Sequence, residues 1–290
     1  MSVLRLGIPK GSLEEATIEL FRRSGWRIRT SSRNYFPAID DPEIECALVR
    51  AQEMARYVEQ GTLDCGLTGL DWILENNAQV VEVADLIYSK VSTQKARWVL
   101  AVRGDSGYER IEDLAGKRIA TELVRFTQRY FAERSIPVEC EFSWGATEGK
   151  VAEGLVDAIV EVTETGSTIR AHGLKIIGTL LETNTNLIAH QAAWDDPFRR
   201  RKIDQIAMLL QGALDAEGMV LIKMNVPEAK IQAVIDLLPS LKAPTVGHLY
   251  QSEWLSVEAV VAEPVVRELI PQLRDRGAEG IIELPINKIV

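Results

Sequence analysis

The sequence predicts an α/β protein of two similar α/β units followed by a smaller βαββαβ unit in the ferredoxin-like arrangement. Three observations carry that expectation. Short apolar runs alternate with amphipathic segments from Leu4 onward; the alternation restarts after Trp98; and beyond Gly218 six elements follow in the order strand, helix, strand, strand, helix, strand. At 290 residues the chain has room for two or three domains, each able to bury a core.

Taken in order, Leu4 to Ile8 reads as a strand, and Leu13 to Ser24 as a helix with Ile18, Leu20 and Phe21 on its buried face and Gly25 as its stop. Cys46 to Val49 is a strand, Gln52 to Gln60 a helix, Asp64 to Leu67 a strand, and a helix starts at Asp71. Strands separated by helices imply mostly parallel sheets, with ligands where strands end and helices begin. Val80 to Ile87 and Trp98 to Val102 are longer strands. The second unit then runs through a short helix at Ile111 to Leu114, a strand at Arg118 to Ala120, a helix at Glu122 to Arg134, a strand at Val138 to Phe142, a helix from Thr147 and a strand from Ala158. Strands at Lys175 to Thr183 and Leu187 to Ala189 return the chain to the first unit, and one helix is expected over Asp195 to Asp215. In the tail, strands at Met219 to Asn225, Val246 to Tyr250, Trp254 to Val261 and Ile281 to Leu284 alternate with helices at Ala229 to Leu238 and Pro264 to Arg274.

Composition removes several function classes. With Lys+Arg 33 against Asp+Glu 42 the formal charge is -9, so the surface as a whole repels a polyphosphate backbone and no nucleic-acid partner is expected. Cys46, Cys65 and Cys140 are isolated in apolar surroundings and read as reduced core residues. Arg5 and Lys10 interrupt the stretch where a signal peptide needs an apolar segment, and no run approaches the roughly 20 apolar residues of a membrane span, so a soluble, cytosolic protein without a membrane partner is expected. His172, His190 and His248 have no metal-ligand spacing, and no nucleophile elbow or glycine-rich nucleotide fingerprint occurs.

The most informative stretch is Val156 to Leu174, VDAIVEVTETGSTIRAHGL. If Ala158 to Val162 is a strand and Ser167 to Ala171 opens a helix, the amides of Thr165, Gly166, Ser167 and Thr168 lie unpaired at a helix N-terminus and point toward a common anion. Gly166 admits close approach of the main chain, and Thr165, Ser167 and Thr168 add hydroxyl donors, so a phosphate monoester fits. Carboxylates beside such a cup need another partner: Glu161 and Glu164 suit either vicinal sugar hydroxyls or a Mg²⁺ that screens both charges. A capped helix with acids on a solvated face accounts for the same letters, so the stretch alone leaves both readings open. Lys10, in the turn of Gly7-Ile8-Pro9-Lys10-Gly11-Ser12-Leu13, and Arg50, at the end of Leu48-Val49-Arg50, are the cations best placed at strand ends, with Arg125 as another at a helix start; each also reads as an ordinary surface charge.

In order and spacing these residues resemble the long form of ATP phosphoribosyltransferase, the first enzyme of histidine biosynthesis. The resemblance covers nearly the whole chain: Gly7 to Leu13, Leu63 to Asp71, Lys117 to Thr121, Asp157 to Glu161, Glu164 to Thr168 and Gly173-Leu174, then Ala243 to Val246, Gly277 to Gly280 and Leu284 to Ile286. It implies a two-lobed, type II periplasmic-binding-protein-like catalytic part, with lobe I over 1–95 completed by about 180–215 and lobe II over 96–179. It further implies an ACT-like domain over 216–290 that senses histidine as a feedback inhibitor through Thr245, Val246 and Leu249. The implied reaction joins N1 of ATP to C1 of phosphoribosyl pyrophosphate and releases pyrophosphate. Glu164, Thr165, Gly166, Ser167 and Thr168 would take the 5-phosphate, Glu161 would face the ribose, Asp157 would also bind phosphoribosyl pyrophosphate, and Lys10 and Arg50 would meet the pyrophosphate, with Gly11, Thr68, Gly69, Thr121 and Arg125 as further contacts. Mg²⁺ would enter with substrate rather than at a preformed protein site, and dimers would assemble into a hexamer in the cytoplasm. The reading from another class is a non-catalytic two-lobed binder of a small anion; a test for the N1-linked adduct separates the two.

Overall fold

The computed structural model describes residues 2–31, 34–88, 95–239 and 243–290. The chain divides into two compact units, Met1–Arg22 with Trp26–Ala207 and Arg23–Gly25 with Met208–Val290.

The first unit begins with β1 (Leu4–Lys10), α1 (Glu14–Ser24), the hairpin β2 (Ile28–Ser31) and β3 (Asn34–Ile39), β4 (Ile44–Arg50), α2 (Ala51–Glu59), β5 (Cys65–Gly69), α3 (Leu70–Asn76) and β6 (Val81–Leu86). It continues through β7 (Ala96–Arg103), a 3₁₀ turn at Ile111–Leu114, β8 (Lys117–Thr121), α4 (Val124–Ala132), β9 (Val138–Phe142), α5 (Thr147–Ala152), β10 (Ala158–Thr163), α6 (Ser167–Ala171), β11 (Leu174–Thr183) and β12 (Thr185–Ala189). Ten of these strands form two five-stranded sheets of order β4-β1-β5-β12-β6 and β11-β7-β10-β8-β9, while β2 and β3 pair with each other. The sequence predicts mostly parallel sheets, and both are mixed. β12 runs antiparallel to β5 and β6, while β7 runs antiparallel to β10 and β11. The hairpin of β2 and β3 has no counterpart in the sequence reading: β2 alternates buried Ile28 with exposed Arg29 but is only four residues long, and β3 sets the exposed aromatics Tyr35 and Phe36 side by side, which gives no alternation.

The helix expected over Asp195 to Asp215 is two helices, α7 (Gln191–Asp195) and α8 (Pro197–Asp215). Asp196 between them is extended, at φ -80 and ψ 121. Proline disfavours helical backbone in the residue before it and has no N–H to give the preceding turn, so Pro197 starts a helix and cannot sit inside one here.

Helix α3 is short but is shared by both sheets' cores. Ile73 packs with Met54, Val58 and Ile188 beside the first sheet, while its neighbour Trp72 packs into the cluster of Trp98, Leu100 and Phe131 beside the second. Trp72 meets Trp98 edge-on at 6.3 Å. Polar contacts reinforce this: the Glu75 carboxylate accepts the backbone N–H groups of Arg125 at 3.1 Å and Phe126 at 2.8 Å, capping α4, and the Arg129 guanidinium donates to the Leu74 carbonyl. A carboxylate at a helix N-terminus satisfies donors the helix cannot use and complements its dipole.

The second unit has one antiparallel sheet. Its elements are β13 (Met219–Pro227), α9 (Ile231–Ile235, after a 3₁₀ turn at Glu228–Lys230), β14 (Thr245–His248), β15 (Trp254–Ala262), α10 (Glu263–Asp275) and β16 (Glu279–Pro285), with strand order β14-β15-β13-β16. Strict alternation puts Val220, Ile222, Met224 and Val226 of β13 and Leu255, Val257, Ala259 and Val261 of β15 on the buried face. Val266, Leu269 and Leu273, at helical spacing on α10, close that core. The βαββαβ order expected from the tail is therefore the order found.

Candidate functional site

A cleft of about 470 Å³ within the first unit is lined by Lys10, Gly11, Arg50, Gly69, Asp71, Trp98, Glu122 and Glu164, among others. It gathers the ends of β1 and β4 and the connections that follow β5, β8 and β10, where helices begin. In such sheets ligands collect at these strand ends because unpaired helix N-termini and loop side chains converge there.

One wall is cationic. β1 and β4 are parallel neighbours, and their register places Lys10 opposite Arg50. Two charges that are 40 residues apart in the chain thus stand one strand spacing apart, about 4.8 Å between backbones. Lys10 Nζ lies 3.9 Å from the ring centroid of Tyr35 on the hairpin, and the Arg50 guanidinium lies 5.3 Å from that of Trp144. These contacts set each cation over an aromatic face, an electrostatically favourable position.

Another part of the lining, Asp71 and Glu122, is acidic and partly buried, and Glu161 lies within electrostatic reach of Glu122 without itself lining the cleft. Asp71 accepts the Trp98 indole N–H at 2.8 Å and the Trp72 amide at 2.9 Å. Burial pushes its pKa up, and these hydrogen bonds pull it back part of the way. Gly69 is required beside it: a Cβ there would lie 2.0 Å from Asp71 Oδ1. Burial also raises Glu122, with Asp71 adding repulsion and a hydrogen bond to the Gln52 side chain opposing the shift. Glu161 is pushed up to about 7, first by burial and then by the charges of Glu148 and Glu122, against hydrogen bonds from the Thr147 hydroxyl and the Val162 amide. Asp71, Glu122 and Glu148 were not singled out from the sequence, since nothing in their local context marks them as neighbours of Glu161. Among the described residues no group of three or more His, Cys, Asp or Glu side chains is arranged to hold a metal ion.

The loop between β10 and α6 brings Glu164, Thr165, Gly166, Ser167 and Thr168 together, with Gly166 at φ +73 as its turning point. The expectation of four open amides needs correction. The Gly166 N–H donates to Thr163 Oγ1 at 2.8 Å, and the Ser167 N–H approaches Thr165 Oγ1 at 3.3 Å. The loop folds on its own hydroxyls, so the Gly166 amide is committed to the turn, while the Ser167 contact is long and weak. Thr165 Oγ1 also donates to Ser167 Oγ at 3.0 Å. Arg170, which the sequence reading passed over, donates to the Thr165 carbonyl at 3.0 Å and brings a cation behind the loop.

Several expected residues lie elsewhere. Asp157 precedes β10, at the opposite end of the strand from the loop, and its carboxylate accepts the Arg118 amide at 3.0 Å. The six residues of β10 set it about 20 Å away. The Thr68 hydroxyl, fully buried, donates to the Ala51 carbonyl at 2.8 Å and so ties β5 to α2. Thr121 is likewise buried and uses its hydroxyl to accept the Leu123 amide at 3.1 Å. Strand alternation turned both threonines inward, which their letters alone do not reveal. Arg125 is exposed on the first turn of α4 and is not among the residues lining the cleft. In the second unit, Thr245 and Val246 are exposed on the edge strand β14, and the Leu249 amide donates to the Trp254 carbonyl at 3.0 Å.

Two family models match the chain: one described as ATP phosphoribosyltransferase, over residues 50–212, and one described as HisG, C-terminal domain, over residues 216–288. An ATP phosphoribosyltransferase of Solidesulfovibrio magneticus is 68% identical over 289 residues, covering 100% of this chain and 99% of that protein. ATP phosphoribosyltransferase 1 of Geobacter sulfurreducens is 58% identical over 288 residues, covering 99% of each. Among solved structures, the ATP phosphoribosyl transferase (HisG:HisZ) complex from Thermotoga maritima matches with a TM-score of 0.61 and 28% identity, over 72% of this chain and 97% of that one. Tv2483 bound to L-arginine matches with a TM-score of 0.51 at 14% identity, over 74% of this chain and 86% of that one, a likeness of fold alone.

Proposed function

The chain belongs to the ATP phosphoribosyltransferase family, a family of pentosyl-transferring enzymes on a type II periplasmic-binding-protein-like fold, and on that premise we propose that its cleft joins N1 of ATP to C1 of phosphoribosyl pyrophosphate. The observation that carries this reading is the pairing of Lys10 with Arg50 at adjacent strand ends, lining one cleft with the Glu164 end of the hydroxyl loop. A substrate with a phosphate at one end and a pyrophosphate at the other matches two separate anion-seeking regions.

In this mechanism the nucleophile is ATP itself, so the protein needs no activated serine, cysteine or lysine. Its work is to position the reactants and to stabilise charge. Thr165, Ser167 and Thr168 receive the 5-phosphate, with Arg170 behind them; α6 has only five residues, so donors rather than a long helix dipole do the holding. Glu161 faces the ribose, whose hydroxyls donate to its carboxylate. Lys10 and Arg50 take up the charge that develops on the departing pyrophosphate. Asp71, braced by Trp98, stays fixed and shapes the floor.

The donor set suits Mg²⁺ in its chemistry: the half-buried Glu161 is raised first by burial and then by the charges of Glu148 and Glu122, which a divalent cation would offset, and Mg²⁺ prefers one or two carboxylates together with substrate oxygens. Glu161 would face such an ion, whose contribution when bound is to neutralise pyrophosphate charge.

The proposal extends to organisation and control. Lobe I (1–95, completed by about 180–215) and lobe II (96–179) supply the two walls, and the 216–290 domain binds histidine near Thr245, Val246 and Leu249 and inhibits the reaction. Dimers assembling into a hexamer in the cytoplasm are part of the same reading; among the described residues no helix is long and apolar enough to cross a membrane. Incubating the protein with ATP, phosphoribosyl pyrophosphate and Mg²⁺ and searching for the N1-linked adduct tests the reaction, and its absence rejects it. Titrating histidine into that assay tests the control, and an unchanged rate rejects that part alone.

A further inference from the structure

Trp144 is 65% exposed, although an indole is among the side chains with most to gain from burial. The loop that carries it is tightly built. Ser143, before it, is buried, donates its amide to the Thr121 carbonyl at 3.0 Å and shares a hydroxyl hydrogen bond of 3.0 Å with the buried Thr147. Between these two pins the backbone turns through Gly145 at φ 70 and Ala146 at φ 50, and the second is a conformation that residues with a side chain seldom adopt. The segment therefore holds an aromatic ring outward from rigid supports. Its ring partner among the described residues is Arg50 of the cationic wall, whose guanidinium lies 5.3 Å from the ring. On its other flank, Thr147 hydrogen-bonds Glu161, the carboxylate assigned above to the ribose.

From this placement we infer that the Trp144 indole is the stacking platform for the adenine of ATP, and that the base displaces Arg50 from the ring as it binds. The inference rests on the proposed phosphoribosyl transfer and adds a base subsite to it. A nucleophilic ring nitrogen has to come within about 3–3.5 Å of the sugar carbon it attacks. A flat aromatic face against the lining residue Arg50, three residues from the threonine that hydrogen-bonds Glu161, brings a stacked base close to the carboxylate assigned to the ribose. The present occupant of that face is a planar cation of similar stacking preference, and a separation of 5.3 Å leaves no room for a base between the two groups. Binding thus exchanges one partner for another, and the released guanidinium remains on the strand end next to Lys10, where the pyrophosphate is expected.

The test uses the full-length chain and the variants Trp144→Phe, Trp144→Leu and Trp144→Ala. Removing a base-stacking side chain weakens nucleotide binding by about tenfold or more. Trp144→Ala and Trp144→Leu are therefore expected to raise KM for ATP by about that factor while KM for phosphoribosyl pyrophosphate stays within about twofold, and Trp144→Phe is expected to remain within about threefold for both. Leucine preserves bulk and apolarity, so the result stands even if the alanine variant folds poorly. Calorimetric titration with ATP alone reads the same loss without turnover. Wild-type ATP affinity in Trp144→Leu overturns the inference, as does a loss seen equally for both substrates or a change of oligomeric mass with unaltered ATP affinity. A wild-type protein that forms no N1-linked adduct defeats the proposed reaction instead, and the ATP titration still decides the fate of the platform.

Discussion

Beyond the end of β10, two neighbouring regions prepare for charge in opposite ways. The Thr165–Thr168 loop is largely exposed and offers neutral donors from hydroxyls and main chain. Asp71, Glu122 and Glu161 are buried or half-buried acids, and every one of them is shifted upward, chiefly by burial. A neutral donor set is ready for an anion at any ordinary pH and costs little when empty. A row of crowded carboxylates is costly to ionise until something positive or hydrogen-bond-donating arrives. Each region therefore suits a different end of a sugar phosphate: the phosphate needs donors that never switch off, and the hydroxyl-bearing, cation-attended end needs acceptors that strengthen on binding.

The sharpest challenge to that contrast comes from the opposite wall. Lys10→Ala is expected to slow turnover by about 10²- to 10³-fold, about 2.7–4 kcal/mol, with the fold intact by circular dichroism. A wild-type rate would mean that no charge develops near that strand end. Gly166→Ala comes next. It imposes about 1–2 kcal/mol of left-handed strain, and its Cβ would stand 3.0 Å from both Arg170 Nη1 and Ile176 Cδ1. Affinity for phosphoribosyl pyrophosphate should fall by about tenfold, following from that strain, while the pH profile of activity keeps its shape, because no acid has been touched. A shifted profile would show that cup and carboxylates are one system rather than two.

Asp71→Ala probes the buried side. It leaves the Trp98 indole N–H without its acceptor and should lower unfolding free energy by about 1–3 kcal/mol in urea titrations, with the loop unaffected. The smallest expected effect is a proton count. With its pKa near 7, Glu161 is about half protonated at neutral pH when the cleft is empty. A cation close by favours the charged form and lowers that pKa, so binding of Mg²⁺ with phosphoribosyl pyrophosphate should release about half a proton at pH 7. Calorimetry in buffers of different ionisation enthalpy measures this release, and Glu161→Gln should abolish it. The sign for stability runs the other way: between about 4.5 and 7 the folded protein holds a proton that the unfolded chain has lost, so the contribution of Glu161 declines as pH rises through that window.

The two regions also differ in how far the sequence discloses them. The loop is contiguous, and its glycine, hydroxyls and flanking strand stand side by side in Glu161 to Thr168, so local rules reach it. The strand-end cations were readable for the same reason, since Lys10 and Arg50 each close an apolar run. The acidic wall escapes because Asp71 meets Trp98 across 27 residues, and Glu161 meets Thr147 and Glu122 only through sheet order. Asp157, Thr68 and Thr121 were assigned to the site by motif, and each needed one fact that letters lack: which end of its strand, or which face, looks into the cleft. The hairpin at Ile28–Ile39 escapes for a related reason, since its strands lie outside both main sheets, β2 is only four residues long and β3 shows no apolar alternation.

The position of β12 has a consequence for how the protein is made. It occupies the gap between β5 and β6, yet it begins at Thr185, about 100 residues after β6 ends at Leu86, so at about 5–20 residues per second the nascent chain carries two open strand edges for about 5–20 seconds. The intervening second sheet has its own core and can mature first. The earliest part of the chain is then among the last to close, and slowing of the ribosome between Ala96 and Ala189 is where aggregation of newborn molecules would show itself.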